Sequence, residues 1–425
     1  MTKAQHETDL MACVHCGLCL PACPTYLETG SEADSPRGRL VLMRKMHEGK
    51  LSPADPDVTH HLDLCLGCRA CETACPSGVP YGRILETARE RINAERVRPA
   101  LTDFSRSALL GTLAQPKRMT IAMRMAQAVT GGVVPSPAVK LLSGDLGAAS
   151  QKPLLPQTLS PPLPPIVTPA VGIKRARVGV LTGCAMRVLF GDVNADTVKV
   201  LAANGCEVLV NRRQGCCGAL HGHNGYGDDA KSLAKSLIEA FTPFDGLDAI
   251  VVNSAGCGSQ MKEYGQLFAD DPAYSQKASA FAAKVRDVSE YLDDLGWVAP
   301  LKPVSQTTVV MAYHDACHLL HGQGVHDAPR TLLSRLPNTR WVPLPESDIC
   351  CGSAGIYNFT EPEMARRLQT RKIDHILSTG ASVIATGNPG CLAWISAGLA
   401  ERGLAQIRLA HPVTLLAEAL GTQSC

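Results

Sequence analysis

The chain has 425 residues and 45% hydrophobic content, enough for two to four domains with ordinary buried cores. With Lys+Arg of 41 against Asp+Glu of 39 and only 4% aromatics, it has neither the basic surface nor the stacking platforms of a nucleic-acid binder, and no nucleic-acid partner is expected. The start has no apolar signal-peptide core, and no run approaches the roughly 18 apolar residues of a membrane span, so the expected location is cytoplasmic, at most peripheral on the cytoplasmic face of an inner membrane. In a reducing cytosol, 18 cysteines are better explained as metal ligands than as disulfides.

Residues 1–100 hold the first signal. Cys13, Cys16, Cys19 and Cys23, then Cys65, Cys68, Cys71 and Cys75, repeat the spacing C-x2-C-x2-C-x3-C, each run closed by a proline, Pro24 or Pro76. That spacing wraps three thiolates around one [4Fe–4S] cubane and sends the fourth across to the other. The expected ligand sets are therefore Cys13, Cys16, Cys19 and Cys75 for one cluster, and Cys65, Cys68, Cys71 and Cys23 for the second. Paired C-x2-C also suits tetrahedral zinc, but two four-cysteine runs with trailing prolines favour the clusters. A helix is expected from Pro36 to Glu48 between the runs, carrying Leu40, Val41, Met43 and Met46, and another over Ile84–Val97.

A helical extension, 101–150, follows, with expected breaks at Gly111 and Pro116. From Arg83 to Arg124 there are nine Lys/Arg and four Asp/Glu, an excess that reads as a docking face or a solvated helix surface. The methionines of Pro116–Met125 fit either a core stripe or a peripheral membrane contact. Seven prolines between Pro153 and Pro169 mark a semi-rigid linker, 151–174, whose composition is not expected to pair in a sheet.

Beyond the linker the chain duplicates. Cys184, Cys216, Cys217 and Cys257 recur as Cys317, Cys350, Cys351 and Cys391, at offsets of 133, 134, 134 and 134. Each cysteine position follows a short apolar run: Val178–Leu181 and Val309–Ala312, Val208–Val210 and Trp341–Leu344, Ala249–Val252 and Val383–Ala385. Helical stretches lie between (Ala195–Ala203, Ala230–Phe241, Glu363–Leu377) and after (Pro412–Leu420). Strands alternating with helices predict parallel sheets, with the cysteines at strand ends where α/β proteins build sites. The expected architecture is a multidomain α+β and α/β chain: an α-helical two-cluster domain followed by tandem α/β units over 175–300 and 301–425. Gly218 and Gly352 are expected to turn the backbone after the adjacent cysteines, and Gly256 and Gly390 to do the same before the last one.

Four convergent thiols per repeat admit an additional iron–sulfur cluster, a zinc ion, a redox dithiol or an unmetallated docking loop, with the cluster placed first for at least one repeat. Histidines crowd these cysteines: His314, His318 and His321 around Cys317, and His221 and His223 after Cys217. Ligation or proton relay is one reading of them and core packing the other. Arg37 and Arg39 either donate to cluster sulfurs or anchor the helix they begin. Cys206 and Cys425 fall outside every motif.

Cys13-Val14-His15-Cys16-Gly17, Pro36-Arg37-Gly38-Arg39, Cys65-Leu66-Gly67-Cys68-Arg69, Lys262-Glu263-Tyr264-Gly265 and Cys350-Cys351-Gly352-Ser353-Ala354-Gly355 resemble the iron–sulfur subunits of glycolate oxidase. More distantly the layout, two ferredoxin motifs followed by two cysteine-rich CCG domains, is similar to subunits of anaerobic glycerol-3-phosphate dehydrogenase and heterodisulfide reductase. The resemblance implies an electron-transfer chain that serves flavin-binding glycolate oxidase subunits, which carry the FAD, and a quinone or other respiratory acceptor. D-lactate is a further substrate of some members. The heterodisulfide reductase pattern ends in C-x2-C, whereas this chain has Gln260 after Cys257 and Trp394 after Cys391, which weighs against a disulfide-cleaving centre. No nucleotide-binding or serine-nucleophile motif is present, so no catalytic residue is expected on this chain, and hydride chemistry belongs to a partner with a two-electron cofactor.

Overall fold

The computed structural model describes residues 3–96, 100–130, 163–244 and 246–421. Most of the proline-rich linker, the end of the helical extension and Cys425 lie outside them.

The N-terminal domain is all-helical. Short polar or proline signals start its helices: Ser35 caps Pro36–His47 by accepting from the Gly38 N–H, and Asp55 caps Pro56–Asp63 by accepting from the Asp57 and Val58 N–H groups. Leu10, Leu40, Met43, Met46, Leu62, Ile84, Leu85 and Ile92 bury together between these helices and Tyr81–Glu95. Each such side chain contributes about 1.5–3 kcal/mol by leaving water. Helices Ala100–Ala114 and Pro116–Thr130 follow, the first running through Gly111 without the expected break. Met119 and Met123 bury against Val188, while Leu101, Phe104, Ile121 and Met125 face solvent. No helix among the described residues is long and apolar enough to cross a membrane.

The two repeats build two sheets. In the first, β2 (Ala176–Leu181), β3 (Cys206–Leu209), β4 (Ala249–Val252) and β5 (Val285–Asp287) are parallel in the order β3-β2-β4-β5. The second repeats this arrangement with β6 (Val309–Tyr313), β7 (Thr339–Trp341), β8 (Val383–Ala385) and β9 (Arg408–Ala410), ordered β7-β6-β8-β9. The chain moves to one side of the first strand and then to the other, leaving a topological switch point between β2 and β4 and between β6 and β8.

Three local expectations need correction. The linker does pair: β1 (Val167–Thr168) runs antiparallel to Val208–Leu209, because Ile166 to Thr168 form a proline-free window and an edge strand tolerates the prolines flanking it. The strand expected over Trp341–Leu344 ends at Trp341, since Pro343 cannot donate to a ladder. Gly218 and Gly352 do turn at φ +84° and +89°, but Gly256 and Gly390 sit in the first turns of helices Ala255–Lys262 and Pro389–Glu401; Gly390 is there for space, a Cβ falling 2.7 Å from Ser353 Oγ.

The repeats are not beads on a string. Helix Pro412–Ala419, the last of the second repeat, packs on Gly191–Ala203, the first long helix of the first repeat; Val288–Leu295, the last of the first, packs on Asp327–Leu333 of the second. Val178, Val200, Leu201, Val208, Met311, Leu332, Val383, Val413 and Leu416 thus share one core. Lys199 Nζ donates to the Ala417 carbonyl at 2.8 Å and His411 Nε2 to the Asn253 carbonyl at 3.0 Å across the same seam.

Candidate metal centres

Two small cavities open in the N-terminal domain. Cys13, Cys16, Cys19 and Cys75 line one, together with Cys71, and Cys23, Cys65, Cys68 and Cys71 line the other. Each run thus sends its fourth cysteine, Cys23 or Cys75, to the other run's cavity. The outer site is shallow, with Cys16 exposed between exposed Val14 and Leu18, and Arg37 donates to the His15 carbonyl at 3.1 Å beside it.

The inner site is buried and electrostatically furnished. Arg39, 1% exposed, reaches Thr25 Oγ1 at 3.0 Å, the His61 carbonyl at 2.6 Å and Cys23 Sγ at 3.9 Å, with Asp34 at 3.8 Å. Burial pushes Cys65 up, but the guanidinium groups of Arg39 and Arg89, the Gly67 N–H at 3.4 Å and the Tyr81 hydroxyl at 3.6 Å outweigh it and hold this thiol below its ordinary range. Burial leaves Cys68 and Cys71 well above theirs. Four soft donors, N–H and O–H groups aimed at sulfur and a buried compensating cation fit an iron–sulfur cluster, whose sulfurs take such hydrogen bonds.

The repeat cysteines gather at the carboxyl ends of the strands, around the switch points. In the first repeat the thiols lie within hydrogen-bonding reach in one row, Cys184, Cys216, Cys217 and Cys257, with Cys184 Sγ–H donating to Cys216 Sγ at 3.6 Å. These interactions push Cys184 and Cys217 up, with burial adding to them, and hold Cys216 and Cys257 down against burial. The second repeat is built alike: Cys350 bonds to Cys317 and to Cys351, which also accepts from Cys391. Lys372 is 2% exposed beside Cys350 and Cys351, its Nζ donating to the Glu346 carbonyl, a buried cation set against thiolate charge. Each quartet offers four buried thiols, a donor set that selects thiophilic metals or iron–sulfur clusters. Both quartets line a single cavity of about 340 Å³, whose wall also takes Cys65, Arg89, Trp394 and Glu361. Burial, then Asp63, raises the Glu361 carboxyl to about 7, against the pull of Arg106 and Arg89.

The inner motif is wedged between the repeats. Tyr357 hydroxyl donates to the Leu64 carbonyl at 2.8 Å, Arg89 spans the Cys65 carbonyl at 2.6 Å and the His223 carbonyl at 2.7 Å, and Arg69 pairs with Glu263. The Cys317 thiol is close enough to Cys68 to add to what burial already does in raising the Cys68 thiol.

The singled-out histidines divide. His318 donates Nε2–H to the Gly67 carbonyl at 3.0 Å, and burial, then His223, lowers it to about 3, so it is a neutral docking residue. His223 meets Glu86 at 2.6 Å, His321 meets Thr73 at 2.9 Å, and His221 is buried beside Cys216. His314 alone lies within 4.8 Å of two cysteine sulfurs, Cys351 and Cys391. Arg37 pairs with Glu32 at 2.5 Å on the surface, while Arg39 faces the inner thiols. Cys206 is buried in β3, pushed to about 11 by burial. Sequence reasoning missed Tyr81, Arg89, Lys372 and Glu361, which lie outside every cysteine motif; only a charge inside an apolar helical face, such as Lys372 in Pro362–Thr379, gave a usable signal.

Comparison with known proteins came out as follows. The profile described as a 4Fe-4S dicluster domain matches residues 9–79, and that of a cysteine-rich domain matches 178–262 and 311–396. The chain is 37% identical to the probable glycolate oxidase iron-sulfur subunit of Bacillus subtilis (strain 168), covering 98% of this chain and 95% of that protein. It is 34% identical to the glycolate oxidase iron-sulfur subunit of Escherichia coli (strain K12), covering 97% and 95%. Lactate utilization protein A of Oceanobacillus iheyensis is 31% identical over 56% of this chain and 96% of its own length.

Proposed function

The chain belongs to the family of glycolate oxidase iron–sulfur subunits, and from that premise we propose that it takes electrons from a flavin-bearing partner that oxidises glycolate to glyoxylate and passes them to a respiratory acceptor such as quinone. It is an iron–sulfur electron-transfer subunit of an oxidoreductase. Clusters bound at the two N-terminal cysteine sets supply one-electron transfer, whereas removing hydride from a 2-hydroxy acid needs a two-electron cofactor, assigned here to FAD on the partner.

The observation that carries the reading is the serial placement of the sites. The outer set, with Cys16 exposed between Val14 and Leu18, is reachable by a partner; the inner set is lined by Arg39 and Tyr81 and abuts the second repeat through Cys68 and Cys317. The chain's own groups do the rest: Arg39 and Arg89 balance thiolate charge in the inner site, Gly67 N–H and Tyr81 hold Cys65 Sγ, and Arg69 with Glu263 fixes the N-terminal domain against the first repeat. In this reading the ligands are Cys13, Cys16, Cys19 and Cys75 at the outer site and Cys65, Cys68, Cys71 and Cys23 at the inner one, and the repeat quartets hold at least one additional centre. Exposed Ile121 and Met125, beside Lys117, Arg118 and Arg124, are the surface we assign to peripheral membrane contact.

The test is dye reduction by the complex that co-purifies with the chain from its own host, with glycolate, D-lactate and glycerol-3-phosphate offered separately, beside a strain carrying Cys16→Ser. Glycolate-dependent reduction that falls in the variant is expected. Reduction with glycerol-3-phosphate alone would transfer the chain to that dehydrogenase.

A further inference from the structure

The two quartets match in sulfur but not in nitrogen. His314 immediately follows β6 on the way to Cys317, and its counterpart before Cys184 in the first repeat is Leu181. The His314 ring is fully buried. Its Nδ1 lies 2.9 Å from the Ser347 carbonyl. A carbonyl only accepts, so Nδ1 carries a proton, which leaves Nε2 as the ring nitrogen turned to the cysteines. That Nε2 is turned toward the Cys351 sulfur, whose thiol Cys350, Cys391 and then the ring hold below its ordinary range, and the buried ring lies within 4.8 Å of both Cys351 and Cys391. A ring nitrogen facing two buried cysteine sulfurs, with its other nitrogen fixed to a carbonyl, is placed as a metal ligand is.

The surroundings hold the ring in this state. Ser347 Oγ donates to Asp315 at 2.8 Å, Asp315 N–H donates to the Ser347 carbonyl at 3.0 Å, and Arg330 clamps the Asp315 carboxylate with two bonds of 2.8 and 2.7 Å. The His314 N–H itself is fixed to the Ala385 carbonyl of β8 at 2.9 Å. An imidazole oriented through Nδ1–H to a carbonyl, itself braced by a carboxylate, is how metal-ligating histidines are set.

We propose that the second repeat carries a mixed nitrogen–sulfur metal centre in which His314 Nε2 is a ligand beside Cys351 and Cys391, with Cys317 and Cys350 completing the donor set, while the first repeat is an all-sulfur site. Five donors are one more than a single tetrahedral ion takes, which favours a polynuclear iron–sulfur centre over zinc. Asp315 and Ser347 are positioning residues, acting through the ring.

The test uses the whole chain purified anaerobically, with iron, zinc and sulfide counted. On protein labelled with ¹⁵N-histidine, pulsed electron paramagnetic resonance of the reduced state reads directly bonded nitrogen, and zinc-edge X-ray absorption reads a Zn–N shell in any zinc-bound fraction. The expected result is a bonded-nitrogen signal in the wild type that disappears in His314→Ala, with the signals of the N-terminal clusters unchanged. Asp315→Asn is expected to retain the signal but to weaken metal retention by about 10–100-fold. A wild-type spectrum without bonded nitrogen in either measurement overturns the proposal without reference to any variant's folding. So does a nitrogen signal that persists in His314→Ala, or a metal content accounted for by the N-terminal sites alone.

Discussion

Arg39→Gln removes a buried charge while nearly keeping its volume, and the structure sets the size of the effect. The guanidinium is 1% exposed, 3.8 Å from Asp34 and 3.9 Å from Cys23 Sγ, and donates to Thr25 and His61. At an effective dielectric of about 20, a unit pair at that separation is worth about 4 kcal/mol, and breaking a buried pair by removing one member costs about 3–5 kcal/mol. Asp34 keeps His61 Nδ1 at 2.8 Å, which places the loss near the lower end, about 3 kcal/mol. The same substitution takes a cation from the Cys65 and Cys23 thiolates. If about 1–3 kcal/mol of charge-assisted interaction is lost there, the inner centre's potential falls by about 45–130 mV, at 59 mV per tenfold for one electron. Redox titration followed by electron paramagnetic resonance reads the potential, and hydrogen exchange over residues 56–66 reads the local stability. Arg39→Lys should restore most of the potential and little of the exchange protection, because a point charge replaces a fork. An unchanged potential in Arg39→Gln, with iron content intact, would refute the view that this side chain compensates thiolate charge.

Tyr357→Phe should leave the Leu64 carbonyl without its buried donor and loosen the second repeat from the inner motif by about 1–3 kcal/mol, seen as faster exchange at residues 62–68. Gly352→Ala forces a Cβ to within 2.6 Å of the Ala365 carbonyl oxygen at a φ of +89°, so the second quartet should lose its metal while the N-terminal iron is retained; full metal content in that variant would contradict the geometry. His411 is buried and lowered to about 4 by desolvation, its Nδ1 accepting from Val413 N–H and its Nε2–H donating to Asn253. Its contribution is therefore present above about pH 6.5 and lost as pH falls toward 4, to a total of about 3 kcal/mol. His411→Gln should flatten that part of the pH–stability curve, and an unaltered curve would remove His411 as its source.

Much of this molecule can be read from the chain because its strongest signals are local. The cysteine spacings, the recurrence of four cysteines at offsets of 133 and 134 and the apolar runs ending at Leu181, Val252 and Ala385 are each read directly along the chain. Strands β5 and β9 escaped notice because Val285–Asp287 and Arg408–Ala410 are three residues long and carry charges at their ends. The antiparallel β1 was hidden by the prolines around it. The two cavity walls in the N-terminal domain, the wedge of Leu64–Cys68 between the repeats and the Lys372 cation arise from contacts between residues distant in sequence, which no spacing encodes. His314 was visible as a residue, but the orientation that turns it to Cys351 and Cys391 depends on Ser347, a partner 33 residues away.

The reciprocal packing of the last helices bears on how the protein is made. Pro412–Ala419 supplies Val413, Leu415 and Leu416 to the core built around Val178, Val200 and Val208, yet it follows the strands of both repeats in the chain. The first repeat therefore cannot close its interior while the chain is still being translated, although domains usually fold in order of appearance. Aerobic expression should for that reason damage the repeats' centres more than those of the N-terminal domain, whose helical core is complete by residue 95.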